Sequence, residues 1–255
     1  MKPLIYENEN YEILIQNNVF IKDKKKKSYY RNDLNSIDTY ELKCFKNYPE
    51  KVHISVFLFY IFFNIIMVLI NNIFNLNLQK NIAPEFSNMT ILIVFFYFLI
   101  NVFFHELGHI ISLKYFDKKI DKVGFKLNYF IFPSFYVQMN ETYMLSRIDK
   151  IIVHSFGLFV NYTTINLIQL LNVLFINSNA LTISYVLFSS TMIWNLVPIL
   201  NSDGYKIMLA ALCLDEYKNY TKNHWIILIF QLIGVTIALN TLVHWIIYWS
   251  KYLYT

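Results

Sequence analysis

Five long apolar runs follow one another from residue 53 onward, near 53–75, 88–114, 150–176, 179–212 and 224–250, and no other feature of the chain restricts its fold as much. A hydrocarbon core of about 30 Å takes roughly 20 helical residues to cross. Inside lipid the backbone has no water to bond with, so continuous runs of this kind must satisfy their own amides as helices. Composition agrees: 56% of the 255 residues are hydrophobic and 15% are charged, against about 25% charged in an average globular protein. Disordered, collagen-like and nucleic-acid-binding chains need polar or strongly basic sequence and are excluded. The expected fold class is an all-α membrane protein with about five transmembrane helices.

Breaks in this pattern locate the polar parts. Pro198 interrupts the fourth run and is the sole proline inside any of the five. Unpaired backbone at membrane depth is tolerated only where it faces protein or a water-filled cavity, so a polar cavity is expected there. Between the second and third runs, residues 119–147 contain VGFKLNYFIFPSFYVQM, rich in aromatic and β-branched residues. It reads as a membrane-edge hairpin or short sheet, or as an amphipathic loop in the interface. Residues 1–52 are polar, with a lysine run at Lys22 and Lys24 to Lys27 and no apolar stretch near Met1, so a cleaved signal peptide is not expected. YEILIQNNVFI within them alternates as a small hairpin would. The chain thus divides into a segment 1–52 and a polytopic membrane domain 53–255 with its core at 88–212. Cys44 and Cys213 match no zinc or redox spacing and read as reduced thiols.

Charge sets the expected orientation. If the N-terminus is cytoplasmic, 19 of the 22 Lys and Arg residues fall on inner segments and only Lys80 and Lys251 lie outside, with Lys206 at the inner end of the fourth run. The positive-inside rule favours that arrangement. The lysine run is then a solvated inner-leaflet segment, with no part in nucleic-acid binding.

A carboxylate at the centre of a membrane helix costs about 2.5–3.5 kcal/mol on insertion scales, so intramembrane ionisable groups mark sites. The second run ends in HELGH, where His105 and His109 stand four apart on one helical face with Glu106 beside them. Imidazoles so spaced can converge on one ion, and the glutamate between them can reach a water without ligating the metal. A catalytic zinc ion takes three protein ligands and keeps a position for water. The best third candidate is Asp203 in NLVPILNSDG, just past Pro198, because the second and fourth runs both descend to the inner side. His154 and His244 are its rivals. Asn195, beside the break, can either serve a substrate peptide or hold helices together, the latter worth about 0.6 kcal/mol on average. Gly108 and Gly157 read as close-packing positions between helices.

These residues resemble the site-2 protease family of intramembrane zinc metalloproteases. The resemblance rests on HELGH at His105 to His109, Gly-x-x-x-Asn at Gly157 to Asn161, and Asn195, Pro198, Asp203 and Gly204 in an Asn-x-x-Pro then Asp-Gly pattern, and it covers about residues 88–212. It implies a three-helix catalytic core, Zn2+ held by His105, His109 and Asp203, Glu106 as catalytic base, and residues 123–139 as a sheet that receives an extended substrate. It also implies a substrate-facing role for Asn161. Members usually carry Leu before Asp-Gly, where this chain has Ser202, and often Pro after the glycine of the second motif, where it has Leu158. The stretch FPSFYVQMNETYML looks similar to a subgroup associated with maturation of small ribosomally made peptides.

The partners expected are the lipid bilayer and a membrane-spanning or membrane-associated peptide substrate, at a multi-pass protein of the cell membrane whose site lies near the cytoplasmic side. The alternative is a non-hydrolytic membrane protein, either a peptide-binding or immunity factor or a metal carrier. A carrier should show repeated broken helices, and only one run is broken; a binding-only descendant should have lost Glu106. A prenyl-protein-processing protease would need a late glutamate ligand, and the run 224–250 has no acidic residue.

Overall fold

A computed structural model of the protein describes residues 3–34, 44–81, 87–128, 132–198, 202–217, 221 and 223–253. The N-terminal segment holds more than the expected hairpin. Strands β1 (Leu4–Glu7), β2 (Tyr11–Ile15), β3 (Val19–Asp23), β4 (Ser28–Asn32) and β5 (Lys46–Asn47) form an antiparallel sheet in the order β4-β3-β2-β1-β5. YEILIQNNVFI supplies β2 and β3, paired with Leu14 opposite Phe20 and Glu12 opposite Lys22. Part of the lysine run is the β3–β4 turn: the Asp23 carboxylate accepts from the amides of Lys25 and Lys26, and Lys27 takes a left-handed φ of 51°.

Period-two alternation puts Leu14 and Phe20 on the same face as Glu12 and Lys22. That face covers a 3-10 turn at Asn140–Met144, with Leu14, Phe20 and Met144 as its apolar centre. Beside them Lys22 Nζ lies 2.5 Å from Glu141 and 3.7 Å from Glu12, and Lys118 Nζ lies 2.5 Å from Glu12. Lys22 is therefore a half-buried clamp rather than the solvated lysine expected.

The remaining chain is α1 (Ile54–Asn81), α2 (Asn88–Tyr115), the hairpin β6 (Lys122–Asn128) and β7 (Phe132–Gln138), α3 (Arg147–Leu171) with a π-helical extension at Asn172–Ile176, α4 (Asn179–Leu196), α5 (Asp203–Leu212) and α6 (Trp225–Leu253). Serines open four of these helices. Ser87, Ser146, Ser178 and Ser202 each accept from an amide three residues on, a cap worth about 1 kcal/mol. Among the described residues, three helices are long and apolar enough to cross a membrane, Ile54–Lys80, Asn88–Tyr115 and Arg147–Ile176, and their outward faces expose residues such as Phe59, Phe62, Phe95 and Phe175. Exposed apolar surface on this scale belongs in lipid. Of the five crossings expected, the run at 179–212 is divided into α4 and α5, and in the last run the described apolar stretch is Trp225–Ile237.

The packed centre lies between α2, α3 and α4, around Tyr97, Leu158, Tyr162, Tyr185 and Phe188. α2 and α3 approach closely because glycine faces glycine: a Cβ on Gly108 would sit 3.1 Å from the Cα of Gly157. α1 is joined to this group through Asn71, fully buried, whose Nδ2 lies within hydrogen-bonding distance of Tyr185 at 2.9 Å, Ser189 at 3.0 Å and Asn166 at 3.2 Å. In a lipid-facing bundle such bonds replace the hydrophobic driving force that lipid removes.

Candidate metal centre

HELGH occupies the last turns of α2, and its two imidazoles fall on the buried face, with His105 8% and His109 3% exposed. α3 passes directly behind them with a stripe of three residues four apart. Val153 accepts from His109 Nδ1 through its carbonyl at 2.8 Å. Asn161 places its side-chain amide 3.2 Å from His105 Nδ1. Between them, Gly157 leaves the space the rings occupy, since a Cβ there would be 2.5 Å from His109 Nε2 and 2.9 Å from His105 Cε1.

These backing contacts set the ring tautomers. A carbonyl can only accept, so His109 carries its proton on Nδ1 and has a lone pair on Nε2. For His105, which end of the Asn161 amide faces the ring is an assignment made from the network. With Oδ1 turned inward it accepts from Nδ1–H, which also gives a partner to an oxygen that is otherwise buried without one. His105 Nε2 is then a lone pair as well.

Asp203 completes the group from the other side of the bundle. The residue before Pro198 is driven out of helical geometry, α4 ends at Leu196 with Val197 extended, and α5 restarts at Asp203. Ser202 caps that restart, donating to the Val197 carbonyl at 2.7 Å and accepting from Tyr205 N–H at 3.1 Å. A serine is thus well suited to this position. Asn195 spans the break with two bonds, Nδ2 donating to Asp203 Oδ2 at 3.1 Å and Oδ1 accepting from the Asp203 amide at 3.2 Å. Lys206 Nζ stands 3.4 Å from the other carboxylate oxygen. Both asparagines singled out in the sequence are in contact with the triad itself.

Asp203 Oδ2 lies 2.8 Å from His105 Nε2 and 3.3 Å from His109 Nε2, and the two Nε2 atoms are 3.1 Å apart. A tetrahedral zinc site with bonds of about 2.0–2.2 Å has ligand–ligand edges of about 3.3–3.6 Å, so the three atoms stand at or slightly inside that spacing. Two imidazole nitrogens and a carboxylate oxygen within 3.3 Å of one another make the donor set of a zinc site, and they fit a metal ion. Glu106 is half-buried beside His105, and no described residue hydrogen-bonds its carboxylate. His154 is outside the converging group and lines a neighbouring cavity. His244 lies on α6, with its side chain outside the described residues. The hairpin expected at 123–139 is present as β6–β7, and β7 packs beside α2; the side chains of residues 126–136 are outside the described set.

Over 249 residues, 97% of its length and 99% of the relative's, the chain is 54% identical to a Bacillus subtilis (strain 168) protein named "Putative peptide zinc metalloprotease protein YydH". The chain belongs to that protein's family. This is the site-2 protease-like family that the three motifs resemble. No family model matches the chain, and no solved structure matches it. Two parts of the centre had escaped sequence reasoning. Val153 contributes only its backbone and leaves no side-chain signal, whereas Lys206, three residues after Asp203 on a helix, was legible from spacing alone.

Proposed function

We propose that the protein is an intramembrane zinc endopeptidase that hydrolyses peptide bonds of a membrane-spanning or membrane-associated peptide. The observation that carries this reading is the convergence of His105 Nε2, His109 Nε2 and one Asp203 carboxylate oxygen on a single point, with the half-buried Glu106 next to His105 on the same helix. The relative's name as a peptide zinc metalloprotease supports it.

His105, His109 and Asp203 would hold the ion. Zinc bound there supplies Lewis-acid chemistry, acidifying water and polarising a carbonyl. Glu106 accepts the proton from the attacking water and delivers it to the leaving amine nitrogen, base and acid in succession. Val153 and Asn161 hold the imidazoles in the required tautomer, and Asn195 and Lys206 hold the carboxylate. An edge of the β6–β7 hairpin offers unpaired amides and carbonyls to a peptide that must be extended before its backbone can be attacked. The distribution of Lys and Arg supports a multi-pass arrangement with a cytoplasmic N-terminus and the centre near the cytoplasmic side.

The test is Glu106→Gln in the full chain, purified in detergent, with zinc measured by elemental analysis and cleavage measured on a library of short peptides. Zinc should stay and cleavage should fall by about 10²–10⁴-fold, the usual worth of a general base. A variant as active as the parent, or a parent chain that retains no zinc, defeats the reading.

A further inference from the structure

A cavity of about 290 Å³ adjoins the metal centre, close to the lower limit of about 300 Å³ for ligand pockets. Its wall joins the first turns of α3, through Lys150 and His154, to α5, through Tyr205 and Lys206, and the sheet closes it with Phe20. Lys206 connects it to the triad through Asp203 at 3.4 Å.

The charges on this wall are unevenly matched. Both carboxylates already have partners: Asp215 stands 3.6 Å from Arg31 and accepts from Asn18 at 2.8 Å, and Glu216 accepts from Tyr205 at 3.1 Å and from Gln231 at 2.6 Å. Arg147 donates to the Ala211 carbonyl. Asp215, the carboxylate that acts on Lys150, is shared with Arg31, and Lys150 makes no such close contact. Its ammonium lies 4.4 Å over the Phe20 ring, and no described residue accepts a hydrogen bond from it. One turn along α3, His154 Nδ1 is buried with no hydrogen-bond partner. Three cations, Arg147, Lys150 and Lys206, line this wall against two carboxylates that are already engaged, so an added anion beside the half-buried Lys150 is favoured, with His154 Nδ1 one turn away.

We propose that this cavity is a subsite for a carboxylate of the peptide substrate, with Lys150 as its counter-ion and Lys206 the cation at the metal end. The subsite rests on the peptidase reading of the triad and adds a substrate class to it: peptides bearing an acidic side chain or a free C-terminus at a fixed distance from the scissile bond. Lys150 is a specificity-determining residue in this scheme, and the reacting atoms do not touch it.

The experiment uses the full chain carrying Glu106→Gln, so that peptides are not consumed. It is zinc-loaded, immobilised and offered a random library of short peptides prepared in two forms, with a C-terminal carboxylate and with a C-terminal amide. Retained peptides are counted by mass spectrometry. Enrichment of carboxylate-bearing over neutral, amidated peptides by about tenfold or more, equivalent to about 1.4 kcal/mol, is the expected result. Retention of amidated peptides that contain Asp or Glu assigns the side chain as the source, and retention of the free-acid form alone assigns the terminus. Lys150→Gln should abolish the preference and Lys150→Arg should keep it, with melting temperature and zinc content unchanged. Equal retention of charged and neutral peptides, no retention at all, or a preference that survives Lys150→Gln overturns the subsite. Cleavage of the same library by the chain with Glu106 intact separates the two readings. Cleavage without carboxylate preference removes the subsite alone, and preferential retention without cleavage supports the subsite while counting against the peptidase.

Discussion

At position 157 a hydrogen atom is the largest side chain the centre admits, because the nearest imidazole nitrogen is where a methyl group would go. Gly157→Ala must push His109 and His105 out of register with Asp203, and zinc content by elemental analysis should fall well below that of the parent while the helical circular-dichroism signal persists. Asn161 acts on the same rings from the other end of the stripe. Partners that orient a ligand histidine are typically worth about 10–100-fold in metal affinity, so Asn161→Ala should raise the zinc dissociation constant by about that factor in a chelator competition. An unchanged constant would mean that the amide does not orient His105. The spacing of HELGH was enough to place His105 and His109 together, since a helix brings i and i+4 onto one face whatever surrounds it. The backing by Val153, Gly157 and Asn161 depended on how α3 lies against α2, which spacing on one helix does not express.

Among the elements, the break between α4 and α5 governs where Asp203 points. Gly204 permits it: a Cβ there would fall on the carbonyl of Leu196, the last residue of α4. Gly204→Ala should therefore separate the two helices and abolish zinc binding, with loss of folded yield in detergent. Ser202→Ala is gentler. It removes the cap from α5 and should cost about 1 kcal/mol, read as a lowered melting temperature with zinc still bound. Pro198 made the break predictable, because proline removes a helical donor and displaces the residue before it. The two-point bond of Asn195 to Asp203 across the break was not predictable, since a connection between two helices can place an amide in many directions.

For the whole molecule, the sheet and the membrane helices are held together by an ionic cluster of Glu12, Lys22, Lys118 and Glu141. Glu12 and Glu141 are 6% and 5% exposed, and stranding a buried charge typically costs about 3–5 kcal/mol. Lys22→Ala should release the sheet from the 3-10 turn, and limited proteolysis should then cut within residues 3–47 faster than in the parent, with zinc content unchanged. Orientation can be read from the exposed Cys44. With Cys213→Ser leaving it as the sole thiol, a membrane-impermeant maleimide should label Cys44 in lysed cells and not in intact ones. Labelling of intact cells would place the N-terminus outside.

The sequence by itself determined that this is a chain of apolar helices, which stretch is broken, and which two histidines and glutamate share one helix end. These follow from local rules: hydrophobic length, proline stereochemistry and helical period act within a few residues and need no knowledge of the rest. Only the tertiary structure decided that Asp203 meets those histidines, that α3 backs their rings, that a polar N-terminal segment is a five-stranded sheet, and that Lys22 is clamped against Glu141. Each of these depends on partners separated by tens of residues, which packing brings together and which no local pattern records.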